Sequence, residues 1–180
     1  MSMQVQIKRE KAKDIEEVDL LYKIAFEQET LSELIVGFRN SSQFIPELAR
    51  VARISDQIIG VIMYSHGEIV KGRKNIPTII ITSLAILPAY QKLGISAELV
   101  KNSFQKARDL GYKSVLVAGD DDYFQKFGFK KASDFDITNK MDIPDENFMA
   151  MELVPDSLSN ASGHLKNHPI IPELLQYSLD

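Results

Sequence analysis

The sequence has 180 residues, of which 44% are hydrophobic and 26% are charged, a composition typical of a globular chain long enough to bury a core. Its net charge of −4 argues against nucleic acid or an anionic membrane surface as the main partner, because both bind clustered Lys and Arg. The absence of cysteine excludes disulfides, zinc–thiolate sites and thiol nucleophiles.

The N-terminal residues lack the apolar core of a signal peptide, and no apolar run approaches the roughly 20 residues of a membrane span. We therefore expect a cytoplasmic protein. Val5 and Ile7 then alternate with glutamines, a period of two that predicts a half-buried strand.

Two helices are predicted after this strand. The first begins at Asp14, where Asp14 and Glu17 have the spacing of a capping box, and apolar residues then recur at helical spacing. A second capping box, Thr30 to Glu33, opens a shorter helix that we expect to end near Arg39.

The following region has the pattern of strands. Residues 48–54 and 58–64 predict a hairpin with its turn at residues 55–57. The polar residues 71–75 separate this hairpin from residues 78–87, whose β-branched side chains predict a central strand buried on both faces.

The second half of the chain alternates helices and strands. A helix is predicted from Ser96 to a C-terminal cap at Gly111, followed by a buried strand at residues 114–118. A short helix broken by Gly128 and a loop precede a last strand at residues 148–154. This order of elements indicates a single α/β or α+β layered fold.

The connection between the central strand and the helix at Ser96 is a candidate phosphate site. A loop that enters a helix N-terminus offers unpaired N–H groups, Gly94 would allow close approach of a pyrophosphate, and Gln91 and Lys92 supply hydrogen bonds and charge. The competing interpretation is a glycine in an ordinary strand-to-helix turn, and spacing alone favours it.

Two runs of sequence resemble a known family. Residues 84–96 (LAILPAYQKLGIS) and residues 123–129 (YFQKFGF) together resemble the GNAT superfamily of acetyl-CoA-dependent N-acetyltransferases. The resemblance implies a mixed, mostly antiparallel sheet with a splayed central strand pair, flanked by helices. It also implies a GNAT domain at residues 1–154, followed by a C-terminal extension at residues 155–180 that is similar to that of a small bacterial subgroup.

The resemblance implies a site for acetyl-CoA as the acyl donor. Backbone groups of Leu84, Ala85 and Ile86 would pair with the pantetheine arm. The family's Q/R-x-x-G-x-G/A loop, which would hold the pyrophosphate, matches six consecutive residues: Gln91, Lys92, Leu93, Gly94, Ile95 and Ser96. Ser96 departs from the usual Gly or Ala, and this puts cofactor affinity in question rather than the fold.

The chemistry that the resemblance implies is direct attack of a neutral amine, from a small molecule or a peptide, on the acetyl thioester in a ternary complex. The N–H of Ile86 would stabilise the oxyanion. Many relatives carry a tyrosine acid where this chain has Phe124, so Tyr123 is the remaining candidate acid. The alternative is that Tyr123, Phe124 and Phe127 form an aromatic packing cluster, and this alternative is favoured.

Several features leave a second function open. Residues 79–83 (IIITS) contain no carboxylate base, and this absence, together with Phe124 and Ser96, fits a non-catalytic acyl-CoA-binding or interaction protein. The aspartates at residues 120–122 are read as a helix start rather than a base. The three scattered histidines give no metal-site spacing, and edge pairing through the last strand is our hypothesis for a homodimer.

Overall fold

A nine-stranded sheet carries the fold in the computed structural model, which describes residues 3–28 and 30–166. Its strands are β1 (Val5–Arg9), β2 (Arg50–Ile54), β3 (Gln57–Lys71), β4 (Lys74–Ile86), β5 (Ser114–Ala118), β6 (Lys130–Lys131), β7 (Ile137–Thr138), β8 (Phe148–Glu152) and β9 (Gly163–Leu165). The α-helices are α1 (Ile15–Phe26), α2 (Thr30–Arg39), α3 (Ile95–Asp109) and α4 (Asp121–Gln125). Single 3-10 turns span Ala12–Asp14, Pro46–Leu48, Pro88–Tyr90, Ala132–Phe135 and Asp145–Asn147.

The strands follow the spatial order β1-β2-β3-β4-β5-β8-β6, and β9 pairs with both β3 and β7. Neighbours are antiparallel except for the parallel pairs β4–β5 and β7–β9. The predicted mixed, mostly antiparallel sheet flanked by helices is confirmed. In the two described ranges no helix is both long and apolar enough to cross a membrane.

The central pair of strands is splayed, as predicted. β4 has 13 residues, but it pairs with β5 only where Ile79 faces Val115 and Ile80 faces Leu116. Beyond Ile80, no described strand pairs with the β5 side of β4. The two strands therefore open a gap whose walls contain backbone donors and acceptors.

Helices cover both faces of the sheet. α1 and α2 bury side chains at helical spacing against β2, β3 and β4, and these residues are Val18, Leu21, Tyr22, Leu31, Ile35 and Phe38. On the opposite face, α3 buries Leu99, Val100 and Phe104 against the same strands. This packing fixes the N-terminus of α3 beside the open end of β4.

The β2–β3 hairpin is confirmed, but the polar residues 71–75 do not separate two strands as predicted. β3 runs to Lys71 and β4 begins at Lys74, with Gly72 at φ +60° in the turn between them. The side chains at residues 71–75 are mostly exposed because this end of the hairpin extends past the core. An exposed end has no buried face, so its sequence lacks the alternation from which a strand is predicted.

The capping box predicted at Asp14 is wrong. Asp14 ends a 3-10 turn, and its carboxylate accepts hydrogen bonds from the N–H of Lys11 at 2.8 Å and from Arg53 at 2.6 Å. Glu17 instead accepts from the N–H of Ile58 at 2.6 Å, so both carboxylates tie the start of α1 to the β2–β3 hairpin. Thr30 is the first residue of α2 rather than its cap, and position 29 lies outside the described residues.

The C-terminal region contains more strands than predicted. β8 is not the last strand: it pairs with β5 along its whole length and with β6 at Met149 and Ala150. Its second edge is therefore partly covered, and pairing of two copies through β8 stays a hypothesis. β9 follows residue 155 and pairs with β3 at Ile69 and Val70. Positions 167–180, including His168, lie outside the described residues.

Candidate functional site

A cleft of about 750 Å³ opens at the splayed end of β4, between the loop into α3 and the helix α4. Most of the residues predicted for a cofactor site line it, namely Leu84, Ile86, Gln91, Lys92, Gly94, Ile95, Ser96 and Tyr123. The structure therefore brings the strand, the predicted phosphate loop and the second sequence motif to one place.

Two predicted residues do not line this cleft with their side chains. Ala85 is buried on the opposite face of β4, among the residues that pack under α1 and α2. Leu93 is 56% exposed and lies outside the cleft lining. The side chains at these two positions therefore do not contribute to the wall of the cleft.

The backbone of β4 forms one wall. The N–H of Leu87 donates to the carbonyl of Ile59 in β3 at 2.8 Å. Because successive residues of a strand direct their backbone groups to opposite edges, Ile86 and Leu84 direct theirs toward the gap beside β5. The side-chain amide of Gln91 donates to the carbonyl of Ile86 at 3.2 Å and so ties the loop to this wall.

The loop into α3 forms the second wall. Gly94 precedes the helix with φ +79°, and no atom lies within 4 Å of the position where a Cβ would stand. Lys92 also has a positive φ of 65°, an uncommon conformation for a residue with a side chain. The first backbone bond of the helix runs from Glu98 to Gly94 at 3.2 Å, so the N–H groups of residues 95–97 have no helical acceptor. This wall can bind an anion.

The third wall is α4 with its aromatic side chains. The ring of Tyr123 makes edge-to-face contacts with Phe124 and Phe127, at centroid distances of 5.0 Å and 5.4 Å. Phe124 is only 2% exposed and packs so closely on Gly119 that a Cβ there would lie 2.2 Å from its ring. The ring of Phe124 is thus packed between Gly119 and the neighbouring aromatic side chains.

The aspartates before α4 include its N-cap. The carboxylate of Asp120 accepts a hydrogen bond from the N–H of Tyr123 at 3.4 Å, and Asp121 and Asp122 lie in the first turn. These aspartates therefore form a helix start, as predicted. Among residues 3–28 and 30–166, no group of three or more His, Asp or Glu residues is placed to hold a metal ion.

The hydroxyl of Tyr123 has a specific partner. It donates a hydrogen bond to Oγ of Ser96, in the first turn of α3, at 2.5 Å. Burial raises the pKa of this tyrosine, although the bond with Ser96 opposes the shift. Tyr123 is therefore neutral at physiological pH.

Sequence reasoning missed four residues of the cleft: Tyr90, Ala97, Lys101 and Lys126. Helical spacing contained a signal for the two lysines. Lys101 lies four residues after Ala97 in α3, and Lys126 lies three residues after Tyr123 at the end of α4, so each shares a face with another lining residue.

Comparisons with known proteins agree with this geometry. The sequence model of the acetyltransferase (GNAT) family matches residues 13–129. Two uncharacterized N-acetyltransferases of Escherichia coli K12 are similar in sequence. YjhQ is 26% identical over 160 residues, which are 86% of each chain. YhbS is 25% identical over 152 residues, which are 84% of this chain and 89% of its own.

Solved structures show the same fold. The crystal structure of E. coli YhbS in complex with CoA superposes with a TM-score of 0.86 and 22% identity, over 94% of this chain and 93% of the other. A GNAT family acetyltransferase from Brucella melitensis in complex with acetyl-CoA gives a TM-score of 0.72 and 22% identity, over 94% and 99% of the two chains.

Proposed function

Because this chain belongs to the GNAT acetyltransferase family, we propose that it transfers an acetyl group from acetyl-CoA to an amine of a small molecule or a peptide, within a ternary complex. The observation that carries the proposal is the cleft in which the open edge of β4, the glycine loop before α3 and the aromatic side chains of α4 meet. Structural relatives that contain CoA or acetyl-CoA support the choice of donor.

The cleft fits the donor in two ways. The Leu84 and Ile86 backbone groups that face the gap would bind the amide groups of the pantetheine arm as a neighbouring strand would. The open space at Gly94 and the unpaired N–H groups of residues 95–97 suit a pyrophosphate, with Lys92 as a nearby positive charge.

The reaction follows from this arrangement. The neutral amine nitrogen attacks the thioester carbonyl carbon and forms the C–N bond, while the oxygen becomes an oxyanion that the N–H of Ile86 would stabilise. The C–S bond then breaks and CoA leaves as a thiolate. The nitrogen releases one proton to water, and the thiolate, with a thiol pKa of about 8.5, takes one from water.

A second candidate is an acyl-CoA-binding protein without turnover. Phe124 is buried and has no proton to donate, and the strand residues 79–83 supply no carboxylate. This part of β4 has two buried polar side chains, Thr82 and Ser83. The hydroxyl of Thr82 donates to the carbonyl of Met63 at 3.1 Å, and Oγ of Ser83 lies 2.5 Å from the hydroxyl of Tyr22, which is also buried. The burial of Tyr22 raises its pKa, so it is not a general base at neutral pH.

The test is release of CoA thiol from acetyl-CoA in the presence of polyamines, aminoglycosides and peptides with free N-termini or lysines. We expect at least one amine to accelerate thiol release above the rate of hydrolysis, and mass spectrometry to show the acetylated amine. Saturable binding of acetyl-CoA without amine-dependent release across the panel would instead favour the non-catalytic protein.

A further inference from the structure

The bond between Ser96 and Tyr123 connects two walls of the cleft. The two residues are 27 positions apart, one in the first turn of α3 and the other in the middle of α4. Ser96 stands where the resemblance to the family leads us to expect Gly or Ala, neither of which has a hydroxyl to accept this bond. The contact is therefore a property of this chain's own residues.

The hydroxyl of Tyr123 has little freedom to point elsewhere. Its ring is held between edge-to-face contacts with Phe124 and Phe127, at interplanar angles of 88° and 67°. Its N–H is bound by the Asp120 carboxylate at the start of α4. Because ring and backbone are both fixed, the hydroxyl is directed at the phosphate loop, and Ser96 is its hydrogen-bond partner.

The same bond makes Tyr123 a poor acid. Its proton is already donated to Ser96, and burial raises its pKa above that of a free tyrosine. A thiol has a pKa of about 8.5, so transfer of a proton from this hydroxyl to a thiolate is unfavourable at equilibrium. The CoA thiolate can leave without that transfer.

The hydroxyl of Ser96 can still donate one hydrogen bond. A serine hydroxyl donates one hydrogen bond and accepts two, and the bond from Tyr123 uses an acceptor site. Ser96 lines the cleft at the N-terminus of α3, where the unpaired N–H groups already favour an anion. A phosphate oxygen bound there would accept a hydrogen bond from the Ser96 hydroxyl.

We propose that Ser96 and Tyr123 form a relay at the phosphate end of the cleft, in which Tyr123 donates to Ser96 and Ser96 donates to the donor's diphosphate. Tyr123 is then a positioning residue that orients Ser96 and holds α4 against α3. The relay selects acyl donors that carry a diphosphate. This inference depends on the proposed function for the identity of the donor.

The experiment compares Tyr123→Phe, Ser96→Ala and the double variant with two acyl donors, acetyl-CoA and S-acetylpantetheine, which lacks the diphosphate and the nucleotide. Tyr112→Phe is the matched control, because it also removes one tyrosine hydroxyl but lies outside the cleft lining. Calorimetric titration with CoA itself accompanies the kinetics, and thermal melts confirm that each variant folds.

The relay predicts that Ser96→Ala raises both the KM for acetyl-CoA and the Kd for CoA by about tenfold, as expected for loss of a hydrogen bond to a charged group. Tyr123→Phe removes a neutral hydrogen bond that orients Ser96, so it should raise the same two constants by about threefold. We expect kcat to stay within about twofold of the wild type, kcat/KM for S-acetylpantetheine to be unchanged, and the double variant to be no worse than Ser96→Ala. Tyr112→Phe should behave as the wild type.

Two results would overturn the relay. A fall in kcat of about 10²-fold for Tyr123→Phe with both donors would make Tyr123 the general acid instead. Unchanged CoA affinity in both single variants would show that Ser96 does not bind the diphosphate of CoA. If the wild type itself fails to bind CoA, the proposed function fails, whereas CoA binding without turnover leaves the calorimetric test of the relay in force.

Discussion

Single residues decide how the cleft would receive a phosphate. Gly94 was identified from sequence because a glycine at the entrance to a helix has few functions besides a turn or a close approach. The structure adds that its φ is +79° and that the space beside it is open. The Ser96–Tyr123 bond was not predictable, because it depends on how α3 and α4 are placed relative to each other, and no local pattern records that.

Replacement of Gly94 by alanine should weaken CoA binding specifically. Gly111, at φ +91° and also with open space around it, is the matched control, because both alanines would experience a similar backbone strain of about 1–2 kcal/mol. We expect Gly94→Ala to raise the Kd for CoA by about tenfold or more, and Gly111→Ala to lower stability only. Equal CoA affinity in the two variants would contradict the assignment of the phosphate loop.

At the scale of elements, the strands and helices with a strong apolar pattern were predicted well, and the short or exposed ones were not. The bounds of β5 at Ser114–Ala118 match the prediction because every one of its residues is buried. β6 and β7 have two residues each, too few for any periodicity to show. β9 was missed because three residues in a polar segment have no pattern of their own.

We propose that a C-terminal extension begins at residue 155 and that β9, among its described residues 155–166, is its contact with the domain at residues 1–154. Gly163 allows this contact, because a Cβ there would lie 2.5 Å from the carbonyl oxygen of Val70 in β3. Gly163→Ala should therefore lower the free energy of unfolding by about 1–3 kcal/mol and speed amide hydrogen exchange in β9. Gly72→Ala, where the space is open, should leave exchange in β9 unchanged. Protection of β9 that is equal in both variants would argue against the pairing.

At the scale of the whole molecule, the site exists because distant parts of the chain converge. The hairpin of β3 and β4 supplies one wall of the cleft, α3 the second and α4 the third. The two core clusters on opposite faces of the sheet fix the positions of these elements relative to one another. The fold was predictable because the two sequence motifs mark the strand-to-helix connection and α4. The acceptor amine was not predictable from a motif in this way, because no comparable run of residues marks its site.

Titration of the purified protein with acetyl-CoA in a calorimeter is the most direct test of the central claim that this cleft is an acyl-donor site. We predict saturable binding at one site per chain, with a Kd on the order of micromolar, corresponding to about −8 kcal/mol. Adenosine 3′,5′-bisphosphate should bind more weakly, because it lacks the diphosphate and the pantetheine arm. Absence of acetyl-CoA binding at about 1 mM ligand would contradict the account.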